Sequence, residues 1–136
     1  MTFVTFLMTQ NRPVNINLFK IKLPLSAFLS ITHRISGILI FFIVLPVSAY
    51  TLSLIFQNQE SYNIFLAYYS NNLSIKLTYL FLVLIFQYHI FTGIRHILMD
   101  FHLLEESLSV SHKSAVLTIF LFGINAMVTA WVMLWI

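Results

Sequence analysis

Three long apolar stretches, separated by short polar segments, dominate the sequence and predict three transmembrane helices. The apolar stretches cover residues 35–56, 77–99 and 115–136. A helix needs about 20 apolar residues to cross the hydrocarbon core of a bilayer, and each stretch reaches that length. Pro24 suits the first turn of a helix, so the first helix is expected to begin there. The predicted spans are about 25–56, 75–99 and 113–136.

The first connection and one proline add detail to this all-α prediction. Between the first two spans, an apolar run over residues 64–69 is expected to lie along the membrane surface. Pro46 lies within the first span and removes a backbone donor, so a kink or a local loosening of the helix is predicted there. We predict one membrane-anchor domain over residues 1–136, with an inner-side segment 1–23 before the first helix.

The composition supports a membrane protein and excludes several other classes. Hydrophobic residues make up 60% of the 136 residues and charged residues only 8%, which is far more apolar than a soluble domain. The seven Lys and Arg residues lie at the borders of the apolar stretches and form no continuous basic face, so no nucleic-acid partner is expected. The chain has no cysteine, so any metal must be bound by histidine or carboxylate side chains.

The distribution of basic residues predicts the orientation in the membrane. Only Lys76 falls on the side of the first connection and the C-terminus. The other basic residues fall on the opposite side and are Arg12, Lys20, Lys22, Arg34, Arg95 and Lys113. Because the inner side of a membrane carries the excess of Lys and Arg, the N-terminus is predicted to lie inside. Trp131 and Trp135 then suit an aromatic belt at the outer surface.

One histidine lies deep within the second span. His89 precedes Arg95 by roughly 9 Å of helical rise, and an ionisable residue at that depth faces a partner side chain, a water cavity or a metal. Neutral imidazole is a common axial ligand of haem iron, whereas a hydrogen bond to another helix is the plainer interpretation. Gly93 lies one turn further on the same face, where it allows either a macrocycle or another backbone to approach. A haem here would need its second ligand from a partner chain.

Two polar clusters lie at the inner ends of the first two spans. Ser30, His33 and Arg34 share one helical face, where they can bind anionic propionates or a quinone carbonyl. In the alternative interpretation, Arg34 reaches lipid phosphates and Ser30 bonds its own helix. Arg95 either meets a propionate or anchors its helix among the headgroups. His96 and Asp100 are four residues apart and able to pair. His102 and His112 are assigned no role.

These residues form two ordered motifs. S-x-x-H-R-x-S-G covers residues 30–37 and H-x-x-x-G-I-R-H-x-x-x-D covers residues 89–100, after Arg-Pro-Val-Asn at residues 12–15. With them, the chain resembles the succinate dehydrogenase cytochrome b556 subunit family from residue 12 into the third span. His102 departs from the family, which usually has a small residue there, and this departure affects the expected geometry of the second connection.

The resemblance implies three spans that form half of a haem-binding anchor bundle. His89 matches the axial ligand of a haem b that is shared with a second small anchor subunit. His33 and Arg34 match positions near the haem propionates, and Arg95 is added to that group from its place at the end of the second span. Ser30 and Arg34 match this subunit's share of the ubiquinone site. An iron–sulfur subunit and a flavoprotein would complete the enzyme, and no activity is expected of this chain alone.

The resemblance also implies a respiratory membrane. The expected location is the mitochondrial inner membrane with the N-terminus in the matrix, and the bacterial plasma membrane is the alternative. Two other functions remain open from the sequence. One is a non-redox assembly or transport protein that uses His89 only for packing, and the other is the anchor of a fumarate reductase working in the reverse direction.

Overall fold

The computed structural model describes residues 23–104 and 107–135, and the regular structure within them is all helical. The elements are α1 (Leu25–Leu39), a π-helical turn (Ile40–Val44), α2 (Leu45–Ile55), α3 (Gln59–Asn71), α4 (Leu73–Asp100) and α5 (Leu108–Trp135). The segments long and apolar enough to cross a membrane are Leu25–Ile55, Leu73–Asp100 and Leu108–Trp135. This confirms the predicted all-α fold with three transmembrane helices. The motif at residues 12–15 and both glutamates of the second connection lie outside the described residues.

The first span changes its hydrogen bonding just before Pro46. Over Ile40–Val44 the helix widens to π-type bonds, and the N–H of Leu45 donates to the carbonyl of Ile40. Proline has no N–H to donate to the carbonyl four residues earlier, so a regular α-helical ladder is interrupted there. A π-helical turn absorbs this interruption without ending the helix. The predicted local loosening near Pro46 is confirmed.

Asparagine caps begin the two helices that follow. The side chain of Asn58 accepts from the N–H of Ser61 at 2.8 Å, and that of Asn72 accepts from the N–H of Ser74 at 3.0 Å. Such caps satisfy N–H groups that have no partner inside the helix. The first connection is therefore mostly helix α3 rather than an open loop, and its place along the membrane surface stays a prediction.

The interior of the bundle is small and rich in polar side chains. Helix α4 packs against both other spans, and α5 also contacts α1. Among the described residues, the buried polar side chains are Ser36, Thr51, Lys76, Thr92, Arg95, Ser111 and Thr118, and the buried apolar ones are Leu29, Val44, Leu80, Leu82 and Ala115. Lipid tails cover apolar side chains as well as a protein core does, so helices in a bilayer associate through small residues and hydrogen bonds. The exposed Phe41 and Phe42 fit a lipid-facing surface.

Lys76 and Tyr69 contact the C-terminal end of α5. The Tyr69 hydroxyl donates to the carbonyl of Met133 at 3.0 Å, and Nζ of Lys76 donates to that of Leu134 at 3.4 Å. The ammonium also lies 5.7 Å from the centre of the Tyr69 ring. Burial raises the pKa of Tyr69, which keeps its hydroxyl protonated as a donor. The lysine predicted on the outer side therefore caps a helix C-terminus, where positive charge is favourable.

The second connection begins at the C-terminal end of α4, where one residue adopts the left-handed backbone conformation. The N–H of Leu103 donates to the carbonyl of Leu98 at 3.0 Å, and the N–H of His102 donates to that of Met99 at 2.9 Å. This pair of bonds is the Schellman arrangement, whose left-handed residue is usually glycine. His102 occupies that position with φ 55°. The departure from the family at this position therefore strains the backbone of the connection.

Replacing this histidine with glycine is expected to stabilise the protein. His102→Gly should raise the free energy of unfolding by about 1 kcal/mol, because glycine adopts the left-handed conformation without a Cβ clash. Thermal unfolding of the purified complex in detergent measures the effect. His112→Gly is the matched control and should destabilise, since glycine weakens the helix that contains it. A lower unfolding temperature for His102→Gly would mean that the contacts of the imidazole outweigh the backbone relief.

Candidate functional site

Two histidines from different spans lie face to face. The rings of His33 on α1 and His89 on α4 are stacked, with centroids 4.1 Å apart and planes 8° from parallel. Both were predicted as site residues, at separate places in the sequence. The structure brings them into direct contact, so the two sequence motifs form one site.

Ser36 connects the same two histidines. Its Oγ donates to the carbonyl oxygen of His33 at 2.7 Å and lies 2.9 Å from Nδ1 of His89. The His33 carbonyl oxygen is also 3.3 Å from this nitrogen. The single proton of the serine hydroxyl is already donated, and a carbonyl can only accept. In the neutral imidazole, Nδ1 of His89 therefore carries the proton and Nε2 keeps its lone pair.

The second ring nitrogen of His89 is available for a ligand. Within the described part of the chain, Nε2 makes no hydrogen bond, and the only fully buried side-chain nitrogen or oxygen without a partner is Oε1 of Gln87. Nε2 is thus not sealed inside the protein. The described residues also contain no group of three or more His, Cys, Asp or Glu side chains arranged to hold a metal ion. A metal at His89 would have to bring its other ligands from a cofactor or another chain.

Two glycines permit the close approach of α1 and α4. A Cβ atom at Gly37 would lie 3.2 Å from Cε1 of His89, and one at Gly93 would lie 3.2 Å from Nε2 of His33. Both distances are shorter than ordinary van der Waals contact, so each glycine makes room for an imidazole from the other helix. The space predicted beside Gly93 for a macrocycle or a backbone is filled by His33.

His96 joins the histidine pair from the same face of α4. Its ring lies 5.0 Å from that of His33, with planes tilted by 46°. Asp100 makes no hydrogen bond or close ion pair within residues 23–104 and 107–135, but its charge still acts on His96, so the predicted pairing of the two stays a prediction. The His96 ring itself turns toward His33 on the neighbouring helix.

Ser30 and Arg34 lie on α1 beside His33. Ser30 is half-buried and Arg34 is exposed. Neither side chain makes a hydrogen bond or an ion pair with any other described residue. Ser30 does not bond its own helix, which was the plainer interpretation of that residue. One hydroxyl and one guanidinium therefore remain available within one turn of the histidine pair.

Arg95 faces the third span rather than the histidine pair. Its Nε donates to Oγ of Ser114 at 3.1 Å, and its Nη2 donates to Oγ of Ser111 at 3.1 Å and to the carbonyl oxygen of Ser111 at 3.2 Å. Only 3% of the side chain is exposed. These bonds join α4 to α5, so the structure does not bring Arg95 to His33 and His89. Its predicted place near the propionates stays a prediction.

A lysine cannot replace Arg95 in this contact. Arg95→Lys should lower the free energy of unfolding by about 1–3 kcal/mol, because an ammonium on a flexible stem cannot reach all three acceptors. Thermal unfolding of the purified complex is the measurement. Arg34→Lys, at an exposed position, is the matched control and should leave the unfolding temperature unchanged. Loss of cofactor from Arg95→Lys at unchanged stability would instead assign Arg95 to the propionates.

Several residues of the site were not assigned a role from the sequence. Ser36 and Gly37 belong to the first motif, and His96 belongs to the second, so their spacing was a usable signal. Hydrogen bonds between hydroxyl groups on different spans were not indicated by any spacing in the sequence. Thr32 bonds the Tyr88 hydroxyl at the edge of an apolar groove of ≈ 360 Å³ between α1 and α4. Contacts of this kind depend on the rotation of each helix about its axis.

The fold and the site together define an integral membrane protein of three spans. Its first two spans present the stacked pair of His33 and His89, and Nε2 of His89 is available for a ligand. At the same end, the Arg34 guanidinium makes no hydrogen bond or ion pair with any other described residue. Protein comparisons agree with this class. The sequence pattern of the succinate dehydrogenase/fumarate reductase transmembrane subunit family matches residues 8–134. The chain therefore belongs to this family, which confirms the resemblance inferred from the two motifs.

Individual relatives cover most of the chain. The succinate dehydrogenase cytochrome b556 subunit of Coxiella burnetii is 36% identical over 128 residues, which are 94% of this chain and 100% of that protein. The succinate dehydrogenase cytochrome b560 subunit of Marchantia polymorpha is 35% identical over 81% of this chain and 82% of its own length. The subunit of the same name from Porphyra purpurea is 37% identical over 66% of this chain and 72% of its own length.

Proposed function

We propose that this chain is a cytochrome b anchor subunit of a succinate dehydrogenase, with His89 as one axial ligand of a haem b. The observation that carries the proposal is the contact of His89 Nδ1 with the Ser36 hydroxyl and the His33 carbonyl. Ser36 and the His33 carbonyl accept from Nδ1, which leaves the lone pair of Nε2 for iron. The relatives are named as cytochromes b, in keeping with this role.

The residues present fit a haem shared with another chain. A haem held by His89 would supply a one-electron carrier, and in its low-spin form it would need a second protein ligand. No second histidine beside His89 is placed to complete a bis-histidine pair from this chain, since His33 stacks on the His89 ring face. The other ligand would then come from a second small anchor subunit, as the family resemblance implies. His33 and Arg34 supply the polar and positive groups for the propionates, and Arg95 would join them only by exchanging its bonds to Ser111 and Ser114 for a propionate.

The quinone site uses the inner end of α1. Reduction of a ubiquinone carbonyl develops negative charge on oxygen, and preorganised donors with positive potential stabilise that charge. The hydroxyl of Ser30 and the guanidinium of Arg34 are both unpaired among the described residues and supply those groups. The iron–sulfur subunit delivers electrons from the flavoprotein, where succinate is oxidised. This chain therefore binds and orients the acceptor without touching succinate.

The proposed setting is the mitochondrial inner membrane, with the N-terminus in the matrix. The excess of basic residues at the N-terminal side supports this orientation. The bacterial plasma membrane is the alternative location, with the N-terminus in the cytoplasm. Protease protection of a C-terminal tag in sealed inner-membrane vesicles tests the orientation, because the proposal puts the two ends of the chain on opposite sides.

A difference spectrum tests the proposed cofactor. The complex is purified through a tag on its flavoprotein, and its reduced-minus-oxidised spectrum is recorded. A low-spin b-type spectrum with about one haem per copy of this chain is the expected result. A complex that contains this chain and oxidises succinate but lacks haem would reject His89 as a ligand and favour its use in packing.

The direction of the reaction is a separate question. The matching family includes transmembrane subunits of both succinate dehydrogenase and fumarate reductase. An anchor binds quinone and quinol at the same site, so the residues of this chain serve either direction. The ratio of succinate–quinone to quinol–fumarate turnover by the purified complex decides between them, and a ratio above one supports the proposed succinate dehydrogenase.

A further inference from the structure

We infer that Ser36 is the positioning residue for His89, and that its hydroxyl sets the strength of Nε2 as an iron ligand. This inference rests on the proposed haem ligation and assigns a function to a residue beside the ligand. The starting observation is a continuous chain of hydrogen bonds. His89 Nδ1–H donates to Ser36 Oγ at 2.9 Å, and Ser36 Oγ–H donates to the His33 carbonyl oxygen at 2.7 Å.

The burial of Ser36 shields this contact from water. Only 5% of the residue is exposed, so water does not compete for its hydroxyl. The serine bonds the carbonyl three residues earlier in its own helix, which holds Oγ in one rotamer. An acceptor that is fixed on one helix can therefore orient a ring that comes from another helix.

The surroundings of His89 restrict its ring in the remaining directions. The His33 ring covers one face at a centroid distance of 4.1 Å. The backbone at Gly37 lies against Cε1, where even a methyl group would approach to 3.2 Å. Rotation of the ring would break the bond to Ser36 and collide with one of these groups. The hydrogen bond therefore fixes both the tautomer and the direction of Nε2.

A hydrogen bond at one imidazole nitrogen changes the chemistry of the other. When Nδ1–H is polarised by an acceptor, Nε2 becomes more basic and stabilises the oxidised metal more strongly. Loss of the acceptor should weaken the ligand and shift the haem midpoint potential to more positive values. The His33 carbonyl at 3.3 Å remains as a longer and weaker acceptor, so the shift should be partial. Loss of such outer partners typically weakens metal binding by about 10-fold or more.

The test uses the whole complex with Ser36→Ala. Potentiometric titration of the haem spectrum should give a more positive midpoint, and haem should dissociate about 10-fold more readily in a transfer assay to apomyoglobin. Ser36→Thr keeps a hydroxyl at the same place and should restore both values. If Ser36→Ala fails to assemble, Ser36→Cys replaces it, since a thiol is a weaker acceptor and should give a smaller shift in the same direction.

Ser53→Ala is the matched control. Ser53 makes the same bond to the carbonyl three residues earlier, at 2.7 Å, but on the exposed surface of α2. This variant should leave the haem midpoint and the dissociation rate unchanged. A haem-containing complex whose midpoint and dissociation rate do not change in Ser36→Ala or Ser36→Cys would overturn the inference and leave the proposed function intact. A wild-type complex without haem would overturn the proposed function itself.

Discussion

Replacing His89 with leucine is expected to remove low-spin haem b from the complex. Leucine keeps the apolar character of the second span, so the helix should still insert, but it has no nitrogen for iron. In the proposed site the partner's ligand and the propionate contacts would persist, so a small residual amount of haem is compatible with the proposal. Optical and paramagnetic resonance spectra of the purified complex, normalised to the amount of this chain, measure the loss.

A histidine outside the site provides the control for this variant. His112 lies exposed on α5 and has no assigned role, so His112→Leu should leave the haem spectrum unchanged. A normal low-spin spectrum in His89→Leu would show that the ligand comes from elsewhere. Loss of this chain from the complex would be seen on a gel and would separate misassembly from loss of ligation.

Replacing Arg34 with alanine is expected to impair quinone reduction selectively. Removal of one preorganised donor at a site of developing negative charge typically costs about 100-fold in rate. Succinate oxidation with an artificial acceptor at the flavin does not involve the anchor, so it should continue at the wild-type rate. The measured quantity is the ratio of these two activities in the same preparation.

Two further variants make the Arg34 result specific. Ser30→Ala removes the neighbouring hydroxyl and should lower the same ratio less strongly, because a hydroxyl supplies a donor without a full charge. Lys113→Ala removes an exposed positive charge from α5 and should leave the ratio unchanged. Equal losses of both activities in Arg34→Ala would indicate misassembly and remove the support for a role at the quinone.

The three spans were predictable from the sequence because the bilayer imposes a local requirement. A helix that crosses it needs an apolar run of fixed minimum length, and this can be recognised without knowledge of any contact. The loosening at Pro46 was predictable for the same reason, since a missing N–H acts on its own helix. Helix α3 in the first connection was harder to predict. Polar and apolar residues are mixed along it, so the Asn58 cap and the length of the segment are the features that indicate a helix.

The arrangement within the site was less predictable. His89 and His33 were recognised separately, but their stacking depends on two glycines on opposite helices that face each other. Arg95 and His96 are adjacent in the sequence and face different neighbours. Successive residues point about 100° apart around a helix, so Arg95 bonds α5 while His96 turns to His33. No spacing rule within one span predicts which neighbour lies on which side.

By itself the sequence determined the membrane-spanning class, the family and the candidate site residues, because these depend on residue type and on spacing along single helices. Only the tertiary structure decided which nitrogen of His89 faces Ser36 and the His33 carbonyl, and where Arg95 points. These properties depend on how far each helix is rotated and how closely it approaches the next. That geometry is set by contacts between side chains of different spans, so it cannot be inferred from the sequence of any one span.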